Sequence, residues 1–213
     1  MYISTMYIST ILDYVHFFFP QKKDAFAHKN SFHINYIEEN LNDIISNNSR
    51  PDSLVQAVHA FIIGVACGLL DGEDGFEHKN RSMIIHPHNE HNAHIKFMTY
   101  TKGILDELKN GLSANHKDSA YIETFDALKK SFINFKKKNS PENLPEFNEE
   151  FLKYVQLAIK ETWLIEFNAR VGRIEEIKWK EIYSVILIGG VGLERGYTVK
   201  GLTISYLSRN VGG

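Results

Sequence analysis

A glycine-rich segment near the end of the chain carries the residue types best suited to binding a ligand. Residues 188–201 have the sequence IGGVGLERGYTVKG and directly follow an apolar run. Glycine lets the backbone adopt positive φ values and approach a ligand closely, and Arg195 adds a permanent cation suited to phosphate. Because open α/β sheets place ligand-binding loops after buried strands, this segment is the first candidate for a binding loop.

Two common phosphate-binding patterns do not describe this segment. The phosphate-loop pattern G-x-x-x-x-G-K-[ST] occurs nowhere in the chain. The dinucleotide-binding pattern G-x-G-x-x-G would begin at Gly190, but Arg195 occupies the position of its third glycine. That pattern also needs a following helix, whereas the residues after Gly196 lead into another strand. The residues alone leave two interpretations open, a phosphate-contacting loop and a tight turn that carries a surface charge.

Four histidines lie within nine residues, at His86, His88, His91 and His94. The last two are three residues apart and could share a helix face, and imidazole groups at such spacing bind Zn²⁺ or Ni²⁺. A polar loop between a strand and a helix would contain the same residues. Both a metal site and such a loop stay open as interpretations.

A basic cluster lies on a predicted amphipathic helix and consists of Lys129, Lys130, Lys136, Lys137 and Lys138. Lysines in such a cluster can contact a nucleic-acid backbone through salt-dependent attraction that is independent of base sequence. The solvated face of an ordinary helix has the same pattern, so nucleic-acid contact and a structural role remain alternatives.

Other catalytic classes find little support. Cys67 lies within an apolar helix, where a buried and inert thiol is expected. The Glu-x-Lys triplets at Glu107 and Glu176 match half of a nuclease pattern, but about two such triplets arise by chance in this composition. Neither G-x-S-x-G nor H-E-x-x-H occurs in the chain.

The elements that must position these residues follow from hydrophobic periodicity. An apolar, buried helix is expected to run to Leu70 from a cap at Asp52 or Ser53. Further helices are expected at residues 89–111, 118–138 and 147–160, and strands at residues 82–86, 163–168, 183–188 and 202–207. Strands separated by helical blocks indicate a parallel sheet flanked by helices. The expected fold is α/β, with one domain over residues 52–213 that contains a helical insertion.

Residues 1–51 are expected to form a polar N-terminal lead, a connecting segment with one helix near residues 36–45. The lead opens with the duplicated unit MYIST. Its apolar run at residues 11–19 is too short to span a bilayer and lacks the features of a secretory signal. We therefore expect a soluble, cytoplasmic protein with no membrane partner.

The composition excludes several classes of protein. Of the 213 residues, 43% are hydrophobic and 23% charged, which is ordinary for a globular protein and argues against disorder. The single cysteine rules out an internal disulfide within this sequence. The net charge is −2, so any nucleic-acid contact must be local instead of spread over a basic surface.

The glycine-rich segment and its two flanking strands resemble the signature of the Z-one domain family. Residues 185–209, VILIGGVGLERGYTVKGLTISYLSR, contain its strand, Gly-Gly, Leu-x-Arg-Gly-x-Thr, Gly-Leu and a strand ending in Tyr and Arg. Residues 82–86, SMIIH, resemble the family's Ser-Met-Leu-Ile-His strand. The sequence departs from the family at Val191-Gly192, where an Asn is usual. The resemblance covers about residues 52–210.

This family is helicase-like and often accompanies bacterial restriction-modification genes, including endonucleases. The resemblance implies a RecA-like parallel sheet of the helicase second-lobe type, in which Leu-x-Arg-Gly-x-Thr matches motif five of superfamily-two helicases. It implies a loop that couples nucleotide state to nucleic-acid contact. The residues carried over to this loop are Gly189, Gly190, Gly192, Arg195, Gly196, Thr198 and Arg209.

The resemblance also implies partners for the chain. In helicases a first lobe supplies the phosphate loop and the acidic Mg²⁺ ligand, and a Gln/Arg motif that would follow Arg209 supplies an arginine finger. We therefore expect a stand-alone or C-terminally truncated second lobe with no cofactor of its own, with ATP and Mg²⁺ belonging to a complete parent protein. The expected partners are DNA, a missing first lobe or other restriction-system subunits, and further copies of the chain. The alternative is a non-catalytic protein-interaction module.

Overall fold

The computed structural model describes residues 15–20, 32–37, 46, 48–73, 80–87, 91–139, 144–167, 177–189 and 199–207. Six strands occur in these residues: β1 (Val15–Pro20), β2 (Phe32–Ile37), β3 (Arg81–His86), β4 (Thr162–Phe167), β5 (Ser184–Gly189) and β6 (Leu202–Leu207). They form one sheet in the order β2-β1-β6-β3-β5-β4, and every neighbouring pair is parallel. The strands of the Z-one-like region, β3 to β6, are therefore contiguous in this sheet.

Four long helices accompany the sheet in the described part of the chain: α1 (Asp52–Leu70), α2 (His91–Ser113), α3 (Ser119–Asn139) and α4 (Glu149–Glu161). All four contribute side chains to one hydrophobic core on one face of the sheet, where Met83 and Ile85 of β3 also lie. The intervening Ile84 belongs to a smaller cluster on the other face, with Val185 and Leu187 of β5. This alternation follows from the period of two in a strand, and burial on both faces explains the unbroken apolar runs at residues 83–85 of β3 and 185–188 of β5.

The central helix is α1. Its core residues include Leu54, Phe61 and Val65, all essentially inaccessible to solvent. By length and composition α1 could cross a membrane, but most of it is buried inside the protein, as in a core helix. Burial of α1 was expected from its nearly continuous apolar sequence and is confirmed.

The α/β class, the parallel sheet and the seven later predicted elements are confirmed. The predicted cap of α1 is wrong, since Pro51 occupies the N-cap position and no side chain caps the helix. Ser53 instead contacts the Tyr206 hydroxyl of β6, with 2.9 Å between the two oxygens. Pro51 suits this position because its fixed φ fits the extended residue that precedes a helix.

The N-terminal lead differs most from expectation. No strand was expected there, yet β1 pairs with both β2 and β6 and extends the sheet. The start of the helix predicted at residues 36–45 is wrong, because residues 36 and 37 belong to β2. The division at residues 51 and 52 stays a prediction about domains, although strands from both sides of it share one sheet.

A buried ionic cluster joins three elements where β3 and β5 begin. The Arg81 guanidinium donates from Nε and Nη2 to the two carboxylate oxygens of Glu73, at 2.7 and 2.9 Å. The Tyr183 hydroxyl donates to the same carboxylate at 2.9 Å. Burial is the largest single influence and works against the charged form of Arg81, but the hydrogen bond and charge of Glu73, together with Tyr183, outweigh it and raise the pKa of Arg81. The Glu73–Arg81–Tyr183 cluster thus ties the end of α1 to both strands.

Candidate nucleic-acid interface

The glycine-rich segment begins at the carboxyl end of an interior strand of the sheet. Because the strands are parallel, their carboxyl ends meet at the same edge, where β3 ends at His86 and β5 at Gly189. β5 lies between β3 and β4, so residue 190 follows from an interior strand. Gly189 is buried as the last residue of β5. Open parallel sheets bind ligands at this edge, which makes the start of the segment chemically relevant.

The other predicted residues of this loop lie outside the described residues: Gly190, Gly192, Arg195, Gly196, Thr198 and Arg209. Their predicted role in coupling nucleotide state to nucleic-acid contact therefore stays a prediction. The topology fixes only the two ends of the connection, which joins the carboxyl end of β5 to the amino end of β6 and has β3 between them.

The far end of this connection is firmly anchored. The Ser82 backbone N–H donates to the Gly201 carbonyl at 2.7 Å, and the Ser82 hydroxyl donates to the Lys200 carbonyl at 2.6 Å. Gly201 has φ of +63°, and a Cβ there would collide with the backbone carbonyl of Asn80. Asn80 is itself fixed by donating from its side chain to the Trp179 and Ile182 carbonyls. Only glycine fits this turn, which gives the Gly-Leu pair of the family signature a physical reason.

The lysine cluster lies on α3. Lys129, Lys130 and Lys136 are exposed, whereas the side chains of Lys137 and Lys138 lie outside the described part. The two phenylalanines between the lysines, Phe132 and Phe135, are buried in the core. Those rings are therefore not available for stacking on bases, and the described lysines offer charge alone.

The position of α3 follows from its contacts with α1 and α2. Gly111 of α2 packs so closely on Thr124 of α3 that a Cβ at position 111 would collide with the threonine. The Ser131 hydroxyl of α3 lies 3.1 Å from Nδ1 of His59 on α1. Lys129 places its Nζ 5.7 Å from the centre of the Phe125 ring, a cation–π contact that holds this lysine on the surface.

The histidine cluster is only partly described. His86 and His94 are buried, at the end of β3 and in the first turn of α2. His88 and the side chain of His91 fall outside the residues that the structure describes. Among the side chains it does describe, no three from His, Cys, Asp and Glu come together to hold a metal ion. The metal site predicted at these four histidines stays a prediction.

An aromatic row was missed by sequence reasoning. The His116 imidazole stacks on the Tyr121 ring with 4.3 Å between centroids and 7° between planes, and Tyr121 in turn stacks on Phe125. Beside them is an open cleft of about 160 Å³ that Glu149 and Lys153 also line. The four-residue spacing of Tyr121 and Phe125 was a usable signal, but nothing in the sequence indicates that a loop histidine would join them.

The single cysteine matches expectation. Cys67 is buried on α1, and burial raises the pKa of its thiol to about 12. The thiol is therefore protonated at neutral pH and is a poor nucleophile in the folded protein.

Among known proteins, the chain is similar to one family of domains. No curated protein and no solved structure matches the chain significantly. The Z1 domain matches residues 53–212, about three quarters of the chain, from the second residue of α1 to beyond the end of β6. The matched region contains β3, β5 and β6, the strands on which the resemblance to the Z-one signature depends. The chain therefore belongs to the Z1 domain family.

Proposed function

We propose that this chain acts as the second RecA-like lobe of a helicase-related NTPase and contacts a nucleic-acid backbone, in a bacterial restriction or defence system in the cytoplasm. Family membership supports the proposal, because the matched region includes the Leu-x-Arg-Gly-x-Thr block that resembles motif five of helicases. An all-parallel α/β sheet is the architecture that such a lobe requires.

The position of β5 in the sheet is the main support for this function. β5 is an interior strand that ends at the carboxyl edge between β3 and β4, and the glycine-rich sequence with Arg195 comes next. Interior strands of parallel sheets present their following loops to ligands at this edge. An arginine can donate two parallel hydrogen bonds to a phosphate, so Arg195 suits a backbone phosphate of DNA or RNA.

The α3 lysines would provide a second contact. Lys129, Lys130 and Lys136 are exposed, and the chain as a whole carries a net charge of −2. Binding would then be local, weak at physiological salt and insensitive to base sequence. The exposed Glu123 and Asp126 on the same helix would keep nucleic acid from lying along its whole length.

The residues do not fit a role in binding ATP through a phosphate loop. The junction from β3 to α2 has the sequence HPHNEH, without the glycines or the lysine that cradle phosphates. We expect ATP and Mg²⁺ to be held by a partner first lobe or by other restriction-system subunits, and the 213-residue polypeptide alone to hydrolyse no ATP.

The proposal is tested by titrating labelled single- and double-stranded oligonucleotides with the protein at low salt. Replacing Lys129, Lys130 and Lys136 by Gln should weaken binding about tenfold, since backbone contacts supply most non-specific affinity. The matched control replaces the exposed lysines Lys102, Lys109 and Lys160 by Gln, which changes the net charge equally. Equal loss in both variants would contradict a specific α3 contact.

A protein-interaction module is the second candidate. It is favoured by large apolar side chains on the surface, among them Ile122, Ile133 and Trp163. If neither oligonucleotide binds at low salt, this second role replaces the first.

A further inference from the structure

The outer edge of β4 presents unpaired backbone in the described part of the sheet. β4 pairs with β5 on one side, and the sheet order ends there. Natural edge strands commonly carry lysine, proline or a bulge that prevents pairing with another chain. The β4 sequence TWLIEF has no lysine and no proline, and Glu166 is its single charge. Apart from Glu166, the described residues of this edge therefore carry none of these protections against strand addition.

Trp163 is the most exposed large hydrophobic residue in the described part of the chain, at 56%. It lies opposite Val185 in the sheet, and Ile165 lies opposite Leu187. Val185, Leu187 and Ile165 belong to the cluster on the face away from the helices, whereas Leu164 packs against the helical core. Trp163 and Ile165 thus share one face of β4, and Leu164 lies on the other.

We propose that two copies of the chain pair antiparallel through β4, about a two-fold axis perpendicular to the sheet at Leu164. Such an axis keeps equivalent faces on the same side, so each residue must pair with one that shares its face. Centring the axis on Leu164 sets Trp163 opposite the partner subunit's Ile165 and Leu164 opposite its own copy. The two sheets then continue as one.

The sequence of β4 favours a second copy as the occupant because it is complementary to itself in this register. The pairs formed are Trp with Ile and Leu with Leu on alternate faces, and Thr162 with Glu166 as a polar pair. Aromatic and β-branched residues stabilise cross-strand pairs of this kind. Shifting the axis to Ile165 would set Leu164 against the charged Glu166. The net charge of −2 gives little repulsion between copies.

A closed dimer also follows from the symmetry. An isologous contact uses the same patch on both copies and ends at two, whereas a heterologous contact would continue into a ring or a filament. The proposed dimer does not depend on nucleic-acid binding. Pairing would use the outer side of β4, the last strand of the sheet, and would not need the glycine-rich segment that follows β5.

Cysteine cross-linking tests the register directly. The native Cys67 is buried and should react slowly, so a cysteine introduced on β4 would be the more reactive of the two thiols. Leu164→Cys should oxidise to a disulfide-linked dimer, because the axis places the two copies of residue 164 directly opposite each other. Ile165→Cys is the matched control, since its two copies would be about 8 Å apart and beyond disulfide reach. Faster cross-linking at position 165 would overturn the proposed register.

Sedimentation across a concentration series tests whether the dimer exists. We expect a concentration-dependent dimer whose dissociation constant rises at least about tenfold in Trp163→Lys, since buried tryptophans carry much of an interface's affinity. Circular dichroism checks that this variant stays folded. A chain that is monomeric at every concentration, or a dimer unaffected by Trp163→Lys, would overturn the proposal.

Discussion

Glu73 has a larger structural role than its place in an acidic turn suggests. Its carboxylate accepts hydrogen bonds from Arg81 and Tyr183, and all three side chains are buried. Burial is also the main reason that the pKa of Tyr183 is raised. Removing one partner of a buried ion pair leaves an uncompensated charge, which costs more than the pair contributes as a whole.

Glu73→Gln should therefore lower the free energy of unfolding by about 3 to 5 kcal/mol, because Arg81 would stay buried without a counter-ion. Urea unfolding followed by circular dichroism measures this change. The control is Glu123→Gln on the exposed face of α3, where a change below about 0.5 kcal/mol is expected. Similar losses in both variants would show that the buried cluster contributes little.

His59 makes stability depend on pH. Burial, assisted by the charge of Arg50 and opposed by Glu107, lowers the pKa of His59 to about 4. Between the ordinary value near 6.5 and pH 4, the unfolded chain binds a proton that the folded chain does not. The free energy of unfolding should therefore decrease as the pH is lowered through this window.

Lowering the pH from about 6.5 to 4.5 should destabilise the His59→Gln variant by about 2 kcal/mol less than the wild type, since glutamine does not titrate. Urea unfolding of both proteins at a series of pH values gives the comparison. A wild-type pH profile that runs parallel to that of the variant would contradict a buried, neutral His59.

At the scale of elements, the entry into β6 depends on a close backbone approach. Gly201 and Gly72 both have positive φ, but only Gly201 lies against another backbone, that of Asn80. Alanine at either position is strained by its φ, which costs about 1 kcal/mol. At Gly201 the collision with the Asn80 carbonyl adds to this cost and should displace β6 from β3.

Gly201→Ala should accordingly destabilise the protein by at least about 1 kcal/mol more than Gly72→Ala, because only the first adds overpacking to strain. Thermal or urea unfolding of both variants provides the values. Equal destabilisation would mean that the turn moves away from Asn80 without loss.

Most elements from α1 onward could be predicted, because their apolar residues recur at helical or strand spacing and each local pattern agrees with the fold. β2 was missed although its sequence FHINYI alternates apolar and polar residues, the pattern of a half-buried strand, but its pairing with β1 does not follow from that pattern. β1 pairs with β6 across almost the whole chain, for example His16 with Ile204. Such long-range pairing leaves no mark on local periodicity.

The candidate site was predicted unevenly for a similar reason. Residues close in sequence, such as the α3 lysines, could be assigned to one helix, and their exposure follows from the buried Phe132 and Phe135. The partnership of Glu73 with Tyr183 joins residues 110 positions apart, and the stacking of His116 on Tyr121 depends on a loop conformation. Neither follows from composition or spacing.

At the scale of the whole molecule, charge restricts what the protein can bind. Lysine and arginine number 24 against 26 acidic residues, so there is no global positive field to attract nucleic acid. Any affinity must come from a few local cations, such as Arg195 in the glycine-rich sequence and the exposed lysines of α3. A small number of phosphate contacts predicts a shallow dependence of affinity on salt.

The salt dependence of DNA binding tests the central claim most directly. The logarithm of affinity should fall linearly with the logarithm of salt concentration, and Arg195→Gln should reduce the slope by about one for duplex DNA, because one phosphate contact is lost. Arg50→Gln, which removes an arginine paired with Glu107, is the control and should leave the slope unchanged. Absence of binding at low salt, or the same slope in wild type and Arg195→Gln, would contradict the account.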